Sequence, residues 1–305
     1  MRVLVVGYGS IGKRHCQILS EVLNIKTVEI VTKQSLDLFK TYPNLNNVKN
    51  LDDYDYFVIA SETWKHYEQL KFLCQQVENK TILVEKPLFS EFEDIKISNN
   101  RVFVAYNLRF HPIIQAIREN LQNERVLFVN VITGQYLPTW RPNTDYRTSY
   151  SAYKNKGGGV LLDLSHEIDY IQWLFGKLNK VAAINQKVSQ LEISSDDIVT
   201  SIGITKNDVI VNFTMDYISK IPVRKIMIHT NECTIMGDLI TNILQTVSNK
   251  QGEQINNFEI NRDFTYLKMH ESLLNENGKD VCTLVEALNV LATIEKIKTT
   301  NESWK

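Results

Sequence analysis

Val3-Leu4-Val5-Val6 runs without a break into Gly7-Tyr8-Gly9-Ser10-Ile11-Gly12. Three glycines at this spacing, between an aliphatic strand and the start of a helical pattern, constrain the fold more than anything else in the chain. Gly7 permits a tight turn, Gly9 leaves room for a pyrophosphate, and Gly12 lets the helix pack close to the strand. The helix start then offers the backbone amides of Ser10, Ile11 and Gly12, with their partial positive charge, to phosphate oxygens. The motif predicts a bound dinucleotide, and by itself it says nothing about the reaction.

The rhythm that follows agrees. Strand candidates at 2–6, 28–32, 56–60, 81–84 and 102–105 alternate with helical patterns at 11–23 and 64–74. Near-continuous aliphatic strands are expected where helices cover both faces of a sheet. This predicts an α/β Rossmann domain, a doubly wound parallel sheet, over residues 1–110. After about residue 125 the pattern turns to strands at 126–131, 181–185, 198–204, 209–215, 225–229 and 233–236, with one early helix at 161–175. Lys206-Asn207-Asp208 reads as a hairpin turn. The second domain, 111–305, is therefore predicted to be α+β with an open antiparallel sheet. Leu284, Leu288, Leu291 and Ile294 mark a closing helix, and residues 301–305 are expected to fray.

Bulk properties exclude several classes. A net charge of −1 gives no electrostatic case for nucleic acid or an anionic membrane. No apolar run reaches membrane-spanning length, and the glycines interrupt the first strand too early for a signal peptide. Cys16, Cys74, Cys233 and Cys282 are far apart and lack zinc spacing, so no metal is expected. They read as reduced thiols of a cytoplasmic protein.

The end of the second strand decides between NAD and NADP. Glu29 lies inside the strand, too early to reach the adenine ribose. Thr32 and Lys33 follow it and can receive a 2′-phosphate, with Arg14 as a helper. The reading leans to NADP with NAD possible, since a single lysine is as often a surface residue.

Three further segments carry chemistry. Glu85-Lys86-Pro87 ends the fourth strand, at the carboxyl edge where ligands of such sheets bind. Gly157-Gly158-Gly159 precedes a helical pattern holding Asp163, His166 and Asp169, spaced to share one face and suited to acid/base work. The loop from Tyr136 to Tyr150 gathers Trp140, Arg141, Tyr146, Arg147 and Tyr150. It suits a polar ring bearing an anionic group, or equally a loop clamped by its own aromatic and Arg–Asp contacts.

Together these segments resemble the Gfo/Idh/MocA oxidoreductases, the glucose–fructose oxidoreductase and inositol dehydrogenase group. The likeness spans nearly the whole chain. It rests on the glycine loop with Lys13-Arg14-His15, on Ala60-Ser61-Glu62-Thr63 with His66, on Glu85-Lys86-Pro87, and on the glycine triplet with His166-Glu167-Ile168-Asp169. The resemblance implies hydride transfer between a nicotinamide and a hydroxyl or ketone of a sugar, cyclitol or related compound. It implies that Lys86 positions the substrate oxygen and that His166 is the general acid/base. Ser61, His66 and Glu85 join the cofactor site, Asn107 and Arg109 face the substrate, and the C-terminal sheet serves a homo-oligomer. Many members carry an Asp four residues before the histidine. Here Asp163 is three before, a displacement of about 100° around a helix.

The loop around Trp140 resembles members found with bacterial surface-sugar biosynthesis, which makes an anionic sugar or nucleotide-linked sugar the expected substrate. Two rivals are a reductase of a non-sugar carbonyl or imine, such as a linear tetrapyrrole, and a non-catalytic NAD(P)-sensing protein of the same fold. Joint retention of Lys86 and His166 favours the enzyme.

Overall fold

The computed structural model describes residues 1–122 and 124–302. They form two compact units. The first begins with β1 (Arg2–Val6), α1 (Ser10–Gln17), β2 (Thr27–Val31), β3 (Lys40–Tyr42), β4 (Tyr56–Ile59), α2 (His66–Gln76), β5 (Thr81–Val84) and β6 (Arg101–Val104). These six strands are mutually parallel in the order β3-β2-β1-β4-β5-β6. Val3, Leu4, Val5 and Val6 are inaccessible, as a first strand covered on both faces must be. The order reverses between β1 and β4, which opens a crevice at their carboxyl ends. The helix expected over 11–23 is shorter, because α1 passes at Ile18 into a wider π turn, Ile18–Val22.

The second unit comprises α3 (Pro112–Asn120), β7 (Val126–Gly134), α4 (Val160–Asp163), α5 (His166–Phe175), β8 (Leu178–Gln186), β9 (Ile198–Thr205), β10 (Ile210–Asp216), β11 (Val223–Thr230), β12 (Cys233–Asp238), β13 (Ile243–Ser248) and β14 (Gly252–Asn257). The strands form one open sheet in the order β14-β13-β12-β11-β7-β10-β9-β8. All pairs are antiparallel except β7 with β10, which run parallel. The hairpin at 206–208 is present, with Asp208 at positive φ. The pattern missed β13, which buries only Leu244, and β14, whose six residues are all exposed and so show no buried alternation.

One face of this sheet carries Val199, Val211, Phe213 and Ile226, all fully buried. Its other face leaves Ile132, Ile184, Ile202, Ile204 and Ile210 between 40% and 56% exposed. The register places Ile204 beside Ile210 and Ile202 beside Asn212, so these side chains share one surface.

Residues 262–288 were expected in the second domain and instead belong to the first unit. Here α6 (Phe264–Asn275) lays Tyr266, Met269 and Leu273 into the core formed by Val3, Val5, Cys16 and Val58. A short β15 (Cys282–Thr283) then adds antiparallel to β6. Sequence periodicity reports a helix's apolar face and not the core that receives it, so this return was not legible. The closing helix, α7 (Leu284–Glu302), buries Leu291 and Ile294 as expected. Of the tail expected to fray, 303–305 lie outside the described residues.

Candidate active site

In the first unit the crevice is built by the strand ends themselves. The Gly7 amide donates to Val31 O at 2.9 Å and the Ala60 amide to Val6 O at 2.8 Å. The loops after β1, β2 and β4 are thereby tied together. The glycines then separate by role. A β-carbon at Gly12 would lie 2.2 Å from Gly7 O, so that glycine is required by the fold. A β-carbon at Gly9 would meet nothing within 4 Å, and the Gly9 backbone, at φ −77°, suits any residue. The protein's own packing does not require glycine there, and the position is open to a group approaching from outside. α1 also starts with no side-chain cap and no acid in its first turn. Its first amides have no carbonyl within the helix to bond, which is the donor set a pyrophosphate takes. The residues present therefore fit a dinucleotide.

Gly9→Ala is expected to weaken nicotinamide dinucleotide binding at least about tenfold, by intrusion on the ligand, while leaving stability within about 1 kcal/mol of wild type. Titration followed by protein fluorescence and a thermal melt check both. Unchanged affinity would remove the cradle.

Beyond β2, Thr32 Oγ1 accepts the Gln34 amide at 3.2 Å, and Lys33 is exposed. Glu29 is committed elsewhere: it accepts hydrogen bonds from the hydroxyls of Tyr54 and Tyr42 and from Arg2. Burial opposes its charge, yet those donors hold its carboxyl below the usual range. Arg14, expected as a phosphate helper, lies with its guanidinium over the Tyr266 ring and 3.1 Å from Asp263. Lys13 is the neighbouring cation at the loop, 5.4 Å from the Tyr8 ring centroid.

Ser61 hydrogen-bonds Gln69 at 2.6 Å. His66 is buried between two backbone carbonyls, Leu88 O at 2.9 Å and Ser61 O at 3.1 Å. Burial pushes its imidazole below the ordinary range, opposed by those two backbone acceptors. Glu85 and Lys86 stand at the carboxyl end of β5, with the Glu85 amide donating to Ile59 O at 2.8 Å. Glu85 is buried, and its Oε1 lies 2.8 Å from His15 Nε2. Asn107 donates to Thr265 at 2.6 Å, and Arg109, only 2% exposed, pairs with Glu286 at 3.1 Å.

The second unit departs from expectation at the histidine. Asp163, His166 and Asp169 do not share one helix face: α4 ends at Asp163, and α5 begins at His166 after Leu164 and Ser165. Asp163 accepts the Tyr217 hydroxyl at 2.6 Å. The Asp163 charge also adds to burial in raising the Tyr150 hydroxyl above its ordinary range. Asp169 remains with His166 on α5, one turn on, and both are buried. The glycines before α4 serve packing, since a β-carbon at Gly158 would lie 2.2 Å from Tyr150 O and one at Gly159 2.3 Å from Asp196 Oδ1.

In the sequence Glu167 stands only as part of the His166–Asp169 motif, with no role of its own. It is fully buried and receives Arg224 Nε at 2.8 Å and Thr133 Oγ1 at 3.0 Å. A charged residue amid the apolar positions of a helix was the available signal, but its partner is 57 residues away.

In the aromatic loop, Arg147 grips Asp145 through paired contacts of 2.9 and 3.0 Å and also reaches Glu192 at 3.2 Å. The Tyr146 hydroxyl accepts the Glu192 amide at 3.2 Å. These residues clamp the loop. Trp140 packs edge-on against Tyr217, and Arg141 lies over Tyr150 while donating to Ser149 at 3.0 Å. Leu137, Trp140, Arg141, Thr144, Tyr146 and Ser149 line a small pocket. Among the described residues no helix is long and apolar enough to cross a membrane, and no cluster could hold a metal ion.

Residues 1–100 match the model for an oxidoreductase family with an NAD-binding Rossmann fold, and residues 114–239 match the model for the GFO/IDH/MocA C-terminal domain. An uncharacterized oxidoreductase of Synechocystis sp. is 30% identical over 158 residues, covering 49% of this chain and 42% of that protein. The chain spans about half the length of the curated relatives it matches, between 42% and 56%. Two solved structures share the fold over almost all of both chains. Levoglucosan dehydrogenase in complex with NADH and levoglucosan superposes with a TM-score of 0.84 at 16% identity, covering 100% of this chain and 98% of that one. The WlbA dehydrogenase from Bordetella pertussis, in complex with NADH and UDP-GlcNAcA, gives 0.79 at 17% identity, covering 100% and 96%.

Proposed function

Because the chain belongs to the GFO/IDH/MocA oxidoreductase family, we propose that it transfers a hydride between a nicotinamide dinucleotide and a hydroxyl or ketone of a sugar, sugar acid or nucleotide-linked sugar. The observation that carries this reading is the open Gly9 position above an uncapped helix start, in the same unit as Lys86 at the end of β5.

When bound, the nicotinamide accepts or supplies the hydride. The amides of Ser10, Ile11 and Gly12 hold the pyrophosphate. The Lys86 ammonium stabilises the substrate oxygen as negative charge develops on it. His166 takes or returns the hydroxyl proton, with Asp169 supporting its charged form. Asp163 is a lesser candidate, because Tyr217 already occupies its carboxylate.

For the cofactor, we favour NADP. Support comes from Glu29, which is committed to Tyr42, Tyr54 and Arg2, and from Thr32 and Lys33, which bring no carboxylate to the ribose. For the substrate, we favour an anionic sugar. Arg147 is satisfied by Asp145 and Glu192, which leaves the Arg141 and Trp140 pocket to recognise a carboxylate or phosphate beside a ring. A role in bacterial surface polysaccharide biosynthesis fits such a substrate. A second copy of the chain fits the exposed isoleucine face of the β7–β10 sheet, since monomers rarely expose large contiguous apolar surface. Four cysteines in the thiol form fit the cytoplasm.

The test is incubation of the purified chain with NADPH or NADH and a panel of sugar acids and nucleotide sugars, following nicotinamide absorbance. Turnover is expected with an anionic member of the panel, at a higher kcat/KM with NADPH. Cofactor binding without turnover on any member would favour the sensing protein instead.

A further inference from the structure

Four buried polar side chains of the first unit form one continuous hydrogen-bonded line. Tyr56 Oη is 2.9 Å from His270 Nδ1, His270 Nε2 is 2.8 Å from His15 Nδ1, and His15 Nε2 is 2.8 Å from Glu85 Oε1. Tyr56 is 1% exposed, His15 and His270 are 0% exposed, and Glu85 is 7% exposed. The four come from β4, α6, α1 and the end of β5, so the fold brings them together from remote stretches. A buried polar line in an apolar core is tolerated only when every member is satisfied.

That requirement fixes its direction. Among the described residues the Tyr56 hydroxyl has no acceptor other than His270. Tyr56 must therefore donate to His270 Nδ1, His270 Nε2–H to His15 Nδ1, and His15 Nε2–H to the Glu85 carboxylate. The reverse arrangement would leave the buried Tyr56 hydroxyl hydrogen without an acceptor. Burial, followed by the neighbouring His15, drives His270 well below the ordinary imidazole range, in keeping with a neutral ring at that place. The line ends beside the proposed reaction centre: Glu85 Oε2 accepts the backbone amide of Lys86 at 3.2 Å.

We propose that His15, His270 and Tyr56 are positioning residues, a one-directional chain of donors that holds the Glu85 carboxylate and through it sets Lys86 for hydride transfer. The inference rests on the reading of Lys86 given above. The chain donates to one carboxylate oxygen and the Lys86 amide occupies the other, so the carboxylate cannot turn without breaking one of them. The titratable and charged groups around this line are Arg14 and Tyr266, which packs edge-on against His15, together with His66 and Lys86.

The experiment uses the full chain, 15N-labelled, with long-range imidazole NMR on wild type and Tyr56→Phe. Tyr56→Phe removes one oxygen and keeps the ring packing, so it should fold. In wild type both His15 and His270 are expected neutral with the proton on Nε2. In Tyr56→Phe the His270 Nδ1 lone pair loses its donor, so the His270 Nδ1 and Lys86 amide resonances are expected to shift while both rings keep the proton on Nε2. With substrate, the acid limb of the kcat/KM profile is expected to move up by roughly half a pH unit to one unit, with the KM for cofactor unchanged. An Nδ1–H tautomer on either ring of wild type overturns the proposal. So does a Lys86 resonance or a pH profile that is identical in the variant. The NMR arms need no substrate, so a wild-type protein that turns over nothing would defeat the hydride-transfer reading while the tautomers and the Lys86 amide still decide the chain.

Discussion

Lys86→Ala is expected to lower kcat by about 10²–10³-fold while nicotinamide dinucleotide binds with unchanged affinity. The expectation follows from the division of labour at the strand ends. The amides proposed to hold the pyrophosphate lie at the start of α1, and Lys86 stands after β5. Removing its ammonium takes away charge stabilisation that matters only as the substrate oxygen becomes anionic, so kcat should fall rather than cofactor affinity. Stopped-flow nicotinamide absorbance and a fluorescence titration separate the two. Wild-type turnover in the variant would end the role assigned to Lys86. Loss of cofactor binding instead would move Lys86 from the reaction to the dinucleotide.

The second large effect is on stability. Arg224→Met is expected to destabilise the protein by about 3 kcal/mol, lowering the melting midpoint by roughly 10 °C. Glu167 is fully buried, whereas the Arg224 side chain keeps a quarter of its surface exposed. Burial works against the Arg224 charge, and Glu167 overcomes it, holding the guanidinium above its ordinary value. Loss of the arginine leaves the buried carboxylate with neutral hydroxyls, those of Thr133 and Tyr170, and no counterion. That is the costly way to break such a pair. Replacing both partners, as in Glu167→Met with Arg224→Leu, is expected to recover most of the loss, because no buried charge is left without a counterion. Chemical denaturation of the two variants beside wild type measures this. A loss under about 1 kcal/mol for Arg224→Met would show that the pair is not a determinant of the second unit's stability.

The parts of this molecule that were legible in its sequence are those encoded locally. The glycine loop after Val6 fixed the strand–turn–helix, and aliphatic runs fixed β1, β2, β4, β5 and β6. Alternation such as Val199, Ser201 and Gly203 inward against Ile202 and Ile204 outward fixed the second sheet. Lys86 falls at a strand end for the same local reason.

What was not legible depends on partners remote in the chain. Asp163, His166 and Asp169 read as one helical face because their spacing fits a helix. The break at Leu164–Ser165 lets Asp163 bond Tyr217, 54 residues on. Arg14 read as a helper at the phosphate, and its contacts with Asp263 and with Tyr266 of α6 were not visible in the sequence. His15 was noticed only as part of a motif, and its chemistry depends on His270, 255 residues away. The return of 262–288 to the first unit underlies both of these last differences.

The account as a whole stands on transfer of hydrogen from nicotinamide C4 to a sugar carbon. The direct measurement supplies the reduced dinucleotide dideuterated at C4 together with the keto form of an anionic nucleotide sugar, and reads the product by mass spectrometry. One deuteron bound to carbon in the product sugar, absent from the product of Lys86→Ala, is the predicted result. A sugar recovered without deuterium while the labelled cofactor remains bound and unchanged would contradict it.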